Sequence, residues 1–286
     1  MTPPPDQFDP IDRDTLFARA CLATFEQHAE VTSTMERARE IALESRLPLP
    51  AAVVADRQTL GRGRQGARWW QPPGSLAVSV VLDAASAGLL AATAQPRPTW
   101  SLACGVALAE AVAAIEPEIA ALVRWPNDLE ARGRKLAGIL VETTACGRAI
   151  FGIGVNTTGS AAAAPAALRQ RIATVPDLAG RAMPRETLLV EFLPRLLRLL
   201  AEMTADPRLL VERYRPLCAL AGREVTVYRG VAAGGIIKPI TGRCLGIDLD
   251  GALVIETVAG PLHLAAGSLT HPTDVWRGED DATLGS

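Results

Sequence analysis

Apolar residues recur at helical spacing in two stretches near the start of the chain. The first stretch predicts a short amphipathic helix and consists of Leu16, Phe17, Ala20, Cys21 and Phe25. The second stretch predicts a helix ending near Ser45, and it begins where Ser33 and Glu36 have the spacing of a capping box. Capping alone would explain Ser33.

Continuous and alternating runs of β-branched and other apolar residues follow, and such runs are typical of strands. They cover residues 51–55, 76–82, 122–125, 135–143 and 149–155. Residues 100–115 are apolar and rich in alanine, which predicts a buried helix. This part of the chain is therefore expected to form an antiparallel sheet with helices packed on one face, an α+β arrangement.

The pattern changes again toward the end of the chain. Residues 157–184 are rich in alanine and proline and carry little signal, whereas apolar stripes predict helices over residues 185–203 and 208–217. Short strands separated by tight turns are then predicted at residues 224–228, 243–247, 252–257 and 261–266. They predict a small barrel of about fifty residues, with Asp250-Gly251 as a hairpin turn.

Composition narrows the class of protein. The net charge of -2 gives no overall basic surface for nucleic acid. The five cysteines are widely spaced without a Cys-x-x-Cys pair, and the three histidines are scattered, so we expect a reduced, cytoplasmic chain without a zinc site. Residues 102–115 are too short an apolar stretch to span a membrane, and the acidic, proline-rich start does not resemble a signal peptide.

Candidate chemistry begins with a glycine-spaced run, Gly61-Arg62-Gly63-Arg64-Gln65-Gly66. Glycines permit close backbone approach, and the two guanidiniums offer forked donors suited to a phosphate or a carboxylate. The run also fits the dinucleotide fingerprint G-x-G-x-x-G, but residues 67–74 contain Pro72-Pro73-Gly74 and cannot begin the helix which that site requires. A mobile surface loop is the structural alternative.

Lysine is rare in this chain. Among 29 basic residues only Lys135 and Lys238 are lysine. Each therefore marks a position where a compact ammonium is a candidate requirement, because a guanidinium is planar and wider.

Several stretches form an ordered set that resembles biotin-protein ligase over about residues 28–271. The set consists of Ser33-Thr34, Gln58 with the run at residues 61–66 and Trp69, residues 124–128 (Arg-Trp-Pro-Asn-Asp), residues 134–142 (Arg-Lys-Leu-Ala-Gly-Ile-Leu-Val-Glu), and residues 152–156 (Gly-Ile-Gly-Val-Asn). The resemblance implies a class II aminoacyl-tRNA synthetase-like catalytic domain with a mixed or antiparallel sheet, followed by a C-terminal SH3-like barrel. The implied division is a lead and short helix at 1–27, a catalytic domain at 28–217, a barrel at 218–272 and a tail at 273–286.

The implied activity joins biotin to AMP from ATP with Mg²⁺ as cofactor, and then transfers the acyl group to a lysine of a biotin carboxyl carrier protein domain. The biotin-binding residues implied by the resemblance are Ser33, Thr34, Gln58, Arg62, Gly63, Arg64 and Lys135. The ATP-binding residues implied in the same way are Gly61, Arg62, Asn127, Asp128 and Asn156. Lys135, Arg64 and Asp128 would be catalytic, with Asp128 also holding Mg²⁺.

Some residues depart from the family or leave alternatives open. Met35 stands where the family usually has asparagine, and Arg124 replaces a usual lysine. Trp69 and Trp125 would line the pocket, with core packing as an equal alternative for both.

Two other functions compete with the biotin ligase. A lipoate ligase would share the fold, but the polar set formed by Ser33, Thr34 and Gln58 does not suit an apolar lipoyl tail. A non-catalytic biotin-binding or carrier-binding module would not need Lys135 or Asp128. With only 32 residues before Ser33, we expect a form without an N-terminal DNA-binding domain and hence no DNA partner. We expect no membrane partner, and the resemblance leaves a homodimer open.

Overall fold

The structure is a computed structural model that describes residues 11–85, 87, 96–228, 231–232, 235–236, 239–270 and 275–278. Lys238 and His271 lie outside the described residues. The helices are α1 (Arg13–Arg19), α2 (Thr34–Leu43), α3 (Pro98–Ile115), α4 (Val175–Ala179), α5 (Arg185–Ala205) and α6 (Arg208–Tyr214). Single 3₁₀ turns lie at Arg64–Gly66, Ala161–Ala163 and Arg215–Leu217.

The strands fall into a large sheet and a smaller C-terminal group. The large sheet contains β1 (Thr24–Val31), β2 (Ala51–Gln58), β3 (Leu76–Asp83), β4 (Ala121–Arg124), β5 (Asp128–Ala131), β6 (Arg134–Thr143) and β7 (Arg148–Val155). The C-terminal group contains β8 (Glu224–Val227), β9 (Val231–Ala232), β10 (Gly235–Ile236), β11 (Ile240–Ile247), β12 (Leu253–Thr257) and β13 (Gly260–Leu264).

The large sheet has seven strands in the order β1-β2-β3-β7-β6-β5-β4. Only β1 and β2 pair in parallel, and the remaining neighbours in this sheet are antiparallel. The sheet is thus mixed, which confirms the predicted α+β fold class.

Helices cover both faces of this sheet, which corrects the expectation of one covered face. Residues of β2 alternate between the two faces: Ala52 and Val54 pack in the core that contains α3 and α5, whereas Ala51 and Val53 pack with α2. The prediction was wrong because α2 is short and its few apolar residues do not reveal the face they cover.

The strand β1 was not predicted, and Phe25 lies in it rather than in the first helix. This strand is at the edge of the sheet, and Phe25 is its one buried residue, so it carries no apolar alternation. Helix α1 ends at Arg19, and Cys21 then takes a left-handed conformation with φ of 57°.

Helix α3 is the one helix of the described chain that is long and apolar enough to cross a membrane, and most of it is buried in the core. It packs between the large sheet and α5. An extensive apolar surface on this helix is therefore explained by its place in the core.

The C-terminal strands form a four-stranded antiparallel sheet in the order β13-β12-β11-β8, and β9 and β10 form a separate antiparallel pair. This small β unit agrees with the expected SH3-like barrel. Asp250-Gly251 forms the turn between β11 and β12, with Gly251 at φ of 78°. The indole N–H of Trp125 donates to the Gly251 carbonyl oxygen at 3.1 Å, so the turn between β11 and β12 contacts the residue that follows β4 of the large sheet.

Candidate active site

A cleft of about 410 Å³ lies at one end of the large sheet. Its walls come from the first residues of α2, from residues 62–70, from residues 124–130, and from β6 and β7. Residues 168, 170–172, 268–270 and 275–276 also contribute to the lining. Chain segments that are far apart in sequence therefore meet in one cavity.

The indole of Trp69 lies on two glycines of the sheet, which form part of the cleft floor. Gly138 on β6 and Gly154 on β7 are direct partners in register. A Cβ atom on Gly154 would lie 2.4 Å from Cε2 of Trp69, and one on Gly138 would lie 3.1 Å from Cζ3. Gly152 plays the same part for Met35, since a Cβ atom there would lie 2.5 Å from the Met35 sulfur. Trp69 is therefore a wall of the cleft and not only a core residue.

A hydrogen-bonded polar group lies at the start of α2. Gln58 accepts from the Thr34 backbone N–H at 2.9 Å, and the Ser79 hydroxyl donates to the Thr34 hydroxyl at 2.8 Å. Ser33 caps the helix by accepting from the Met35 N–H at 3.3 Å, so it is both a cap and a cleft residue.

The expected capping box does not form, because the Ser33 hydroxyl accepts from the Met35 N–H and not from the Glu36 N–H. The Glu36 carboxylate turns away from the Ser33 backbone and pairs with the Thr32 hydroxyl and the Arg62 guanidinium. The Thr32 hydrogen bond, with the charge of Arg62, lowers the pKa of Glu36 from its ordinary value. Glu36 therefore serves as an anchor for the loop that follows β2.

Gln71 lies next to Gln58 of this polar group, and no sequence pattern predicts its role. Its amide N–H groups face the carbonyl oxygens of Ala55, Asp56 and Ser75 at 3.4, 3.3 and 3.0 Å. Its own oxygen lies 3.5 Å from the amide nitrogen of Gln58. The side-chain amide of Gln71 is thus held in one orientation beside Gln58.

The Gly/Arg loop (residues 61–68) folds back on itself and borders the cleft. Gly63 N–H donates to the Ala67 carbonyl at 2.8 Å, and Arg62 and Arg68 form an isolated antiparallel bridge. The Gly61 carbonyl accepts from the Trp69 N–H at 2.9 Å, and Gly61 supports Trp69 without lining the cleft. The loop contains a single 3₁₀ turn at Arg64–Gly66, and no helix begins at residues 67–70, which agrees with the exclusion of a dinucleotide site.

The two loop arginines have different surroundings. Arg62 lies at the rim, where half of its side chain is exposed and Glu36 holds it. Arg64 reaches inward and donates to the side-chain oxygen of Asn127 at 3.1 Å. Burial lowers the pKa of the Arg64 guanidinium, and the negative charge of Asp128 partly opposes that shift. Arg64 is therefore the cation that the loop directs into the cleft.

Lys135 and Asp128 form an ion pair on the cleft floor. The Lys135 ammonium nitrogen lies 2.7 Å from Oδ1 of Asp128 and 5.7 Å from the centre of the Trp69 ring. The Lys135 side chain is 35% exposed, so the ammonium is open to the cleft. Asn127 fixes the adjoining segment by donating to the Ile139 carbonyl at 2.6 Å.

Asn156 lies at the end of β7 and is 1% exposed. Its amide nitrogen donates to the Ala173 carbonyl at 2.9 Å, while its amide oxygen has no hydrogen-bond partner among the described residues. A buried acceptor without a partner is costly, so a donor from a bound molecule would be favourable there.

Trp125 is 1% exposed and uses its N–H on Gly251, so core packing accounts for most of this side chain. The other predicted binding residues meet in the cleft, Gly61 excepted. They are Ser33, Thr34, Gln58, Arg62, Gly63, Arg64, Asn127, Asp128, Lys135 and Asn156. Their individual roles remain predictions.

Comparisons with known proteins agree with this arrangement. Residues 28–158 match the Biotin/lipoate A/B protein ligase family. The chain is 30% identical over 223 residues to the biotin--[acetyl-CoA-carboxylase] ligase of Mycobacterium tuberculosis (strain ATCC 25618 / H37Rv), covering 77% of this chain and 78% of that protein. It is 31% identical over 220 residues to the ligase of the same name from Paracoccus denitrificans, covering 73% and 85%. The structure of the biotin protein ligase from Aquifex aeolicus in complex with biotin and ATP matches with a TM-score of 0.71 and 26% identity, covering 87% of this chain and 97% of that one.

Proposed function

This chain belongs to the biotin protein ligase family, and we propose that the cleft around Lys135 is where it joins biotin to AMP. The protein is an ATP-dependent ligase that forms biotinyl-5′-AMP and acts on a carboxyl carrier protein. The observation that carries the residue assignment is the convergence of Lys135, Arg64 and the polar group at the start of α2 in one cleft.

The polar group would bind the head of biotin. Ser33, Thr34 and Gln58 offer hydroxyl and amide groups at the closed side of the cleft, and Trp69 and Met35 supply apolar walls. A small ligand with a polar ring system and an apolar chain fits such a combination, because pockets use a few placed polar groups for orientation.

The first step is nucleophilic. A carboxylate oxygen of biotin attacks the α-phosphorus of ATP, a new O–P bond forms, and the bond to pyrophosphate breaks with its electron pair leaving on pyrophosphate. Negative charge increases on the α-phosphate oxygens as this happens. Lys135 and Arg64, which both line the cleft, would stabilise that charge, and such stabilisation is the usual source of rate enhancement in these transfers.

The second step consumes the mixed anhydride. The neutral amine of a carrier lysine attacks the acyl carbon, a C–N bond forms, and AMP leaves with the electrons of the C–O bond while the amine proton passes to solvent. In this step the cleft must admit one amine and exclude water. We propose that the Gly/Arg loop provides that enclosure.

We propose that the cleft also takes Mg²⁺, with Asp128 as its protein ligand. Protein sites for this ion commonly use one or two carboxylates together with substrate phosphates, and Asp128 is a cleft carboxylate beside the proposed phosphate position. The ion would neutralise phosphate charge. Asn127 would bind the nucleotide next to it, and the free oxygen of Asn156 would accept from the adenine amine.

Exchange of labelled pyrophosphate into ATP tests the proposed function. We expect exchange with biotin and Mg²⁺ and only background exchange when lipoate replaces biotin, because the polar group at α2 has no partner on a lipoyl tail. Chelation of the metal should also reduce exchange to background. Exchange that required lipoate and ignored biotin would refute the assignment.

Arg64→Gly should release the activated intermediate. Arg64 connects the loop to Asn127 and lies where the phosphate is proposed to bind, so its loss should speed the release of biotinyl-5′-AMP about tenfold, the cost of one charge-assisted hydrogen bond. Labelling of lysines on an added bystander protein measures the escape. Arg57→Gly, which removes an exposed arginine paired with Glu30, is the control. Bystander labelling equal to that of the parent would remove Arg64 from the site.

The location in the cell is a further proposal. All five cysteines are free thiols, which fits a reducing cytoplasm. Fractionation of cells that produce the protein would test it, with recovery among exported proteins as the contrary result.

A further inference from the structure

The end of the chain returns to the Gly/Arg loop. We call residues 275–278 the C-terminal strap. The Arg68 backbone N–H donates to the Trp276 carbonyl at 3.0 Å, and Val275 and Trp276 both line the cleft. The strap thus contacts the same loop that carries Arg62 and Arg64.

Further contacts lie on either side of this hydrogen bond. A Cβ atom on Gly66 would lie 2.9 Å from Nη1 of Arg277, and one on Gly278 would lie 3.6 Å from Cγ of Arg68. Gly66 has φ of 77°, a conformation that favours glycine. A side chain at this position would also collide with the Arg277 guanidinium. The strap therefore runs alongside the loop near Gly66 and Arg68.

The loop is consequently held from three directions. Glu36 on α2 holds Arg62, Asn127 holds Arg64, and Trp276 holds Arg68. Arg62 and Arg68 form a backbone bridge between the two arms of the loop. The hydrogen bond from Arg68 to Trp276 joins a third backbone segment to these two arms. Removing one attachment should let the loop open more often while the other two persist.

We infer that the C-terminal strap is a positioning segment for the known reaction, with Trp276 as its central residue, which keeps the Gly/Arg loop closed over the mixed anhydride. This inference rests on the proposed function of the cleft. A mixed anhydride reacts with water and with any amine, so a closed loop protects it until the carrier lysine arrives. The strap does not take part in bond making or breaking.

Trp276→Ala in the full-length protein tests the inference. The indole is lost from the cleft wall, and the strap is expected to leave Arg68. Release of labelled biotinyl-5′-AMP, followed by filter binding after a chase, should become about fivefold faster. The Trp276 carbonyl that accepts the Arg68 N–H is kept in this variant, so the expected effect is that of losing part of an aromatic side chain's burial. Loss of the indole from the cleft wall should raise the KM for biotin in pyrophosphate exchange, whereas kcat for exchange at saturating biotin should change much less than the release rate, because Lys135, Arg64 and Asp128 are untouched.

Two further variants separate positioning from general destabilisation. Trp276→Phe keeps an aromatic ring at the cleft wall and should restore slow release. Phe17→Ala truncates another aromatic side chain, one that is 38% exposed on α1 and does not line the cleft, and should release at the parental rate.

The possible outcomes distinguish failure of the strap's proposed role from failure of the proposed function. Parental release from Trp276→Ala, in a protein that exchanges pyrophosphate with biotin, would overturn the role of the strap alone. A fall in exchange and melting temperature together, without faster release, would show a structural role and overturn it as well. A parent protein that shows no biotin-dependent exchange would refute the proposed function and the inference with it.

Discussion

Lys135→Arg should lower biotin-dependent pyrophosphate exchange about 10²-fold while the protein stays folded. The ammonium lies 2.7 Å from Asp128, and its last carbon lies 3.1 Å from where a Cβ atom on Gly138 would be. A guanidinium is wider and carries its charge over a plane, so it would contact the Trp69 ring or move away from the floor. A displacement of the order of 1 Å is enough for the expected loss.

The neighbouring arginine offers a matched control. Arg134→Lys makes the reverse exchange of cation at an exposed position and should leave exchange near the parental rate. Both variants should melt near the parental temperature, since charge is kept in each. If Lys135→Arg still exchanged pyrophosphate within a few-fold of the parent, Lys135 would be an ordinary solvated cation and the proposed mechanism would be wrong.

Gly154→Ala should reduce exchange by about 10²-fold because it displaces Trp69 from the cleft floor. The added methyl group would lie 2.4 Å from Cε2 and 2.7 Å from Nε1 of the indole, distances that no side chain tolerates. Overpacking of this kind also costs about 1–3 kcal/mol of stability. The free energy of unfolding, from urea denaturation, measures that cost separately from exchange.

A double-mutant cycle identifies the cause. Trp69→Ala leaves room above the sheet, so adding Gly154→Ala to that variant should cost little further stability. An equal cost in both backgrounds would show that the methyl group disturbs the strand itself and not the indole. The Trp69→Ala variant alone should bind biotin more weakly, because it removes a wall of the cleft.

Most helices and strands, and most residues that carry the proposed chemistry, can be predicted from the sequence. The backbone surfaces against which those side chains pack cannot. Lys135, Arg64 and Asp128 could be predicted because each belongs to a local run with a recognisable order. The floor formed by Gly138, Gly152 and Gly154 was overlooked, although glycine inside a strand often marks a close approach. The side chains that pack on these glycines are Trp69 and Met35. Predicting which glycine each one contacts requires the register of β6 and β7.

Other features of the structure could not be predicted from the sequence, for different physical reasons. The edge strand β1 is polar on most positions, so its pairing with β2 supplies the structure that its own pattern lacks. Gln71 acts through backbone carbonyls, which have no sequence signature. Trp276 and Arg68 are more than two hundred residues apart in the sequence, so no local sequence pattern predicts the hydrogen bond between them. The bounds of the domains stay a prediction.

The seating of the Trp69 indole on bare sheet backbone also shows where the ligase can be re-engineered. Since Gly138 and Gly154 carry no side chains, exchanging the indole for a small residue would open a hole with the volume of the lost rings, bounded below by main chain. A biotin analogue with an added ring would fill this space. The variant enzyme would then attach the analogue to its carrier, whereas the parent enzyme, whose Trp69 occupies the space, would not bind it.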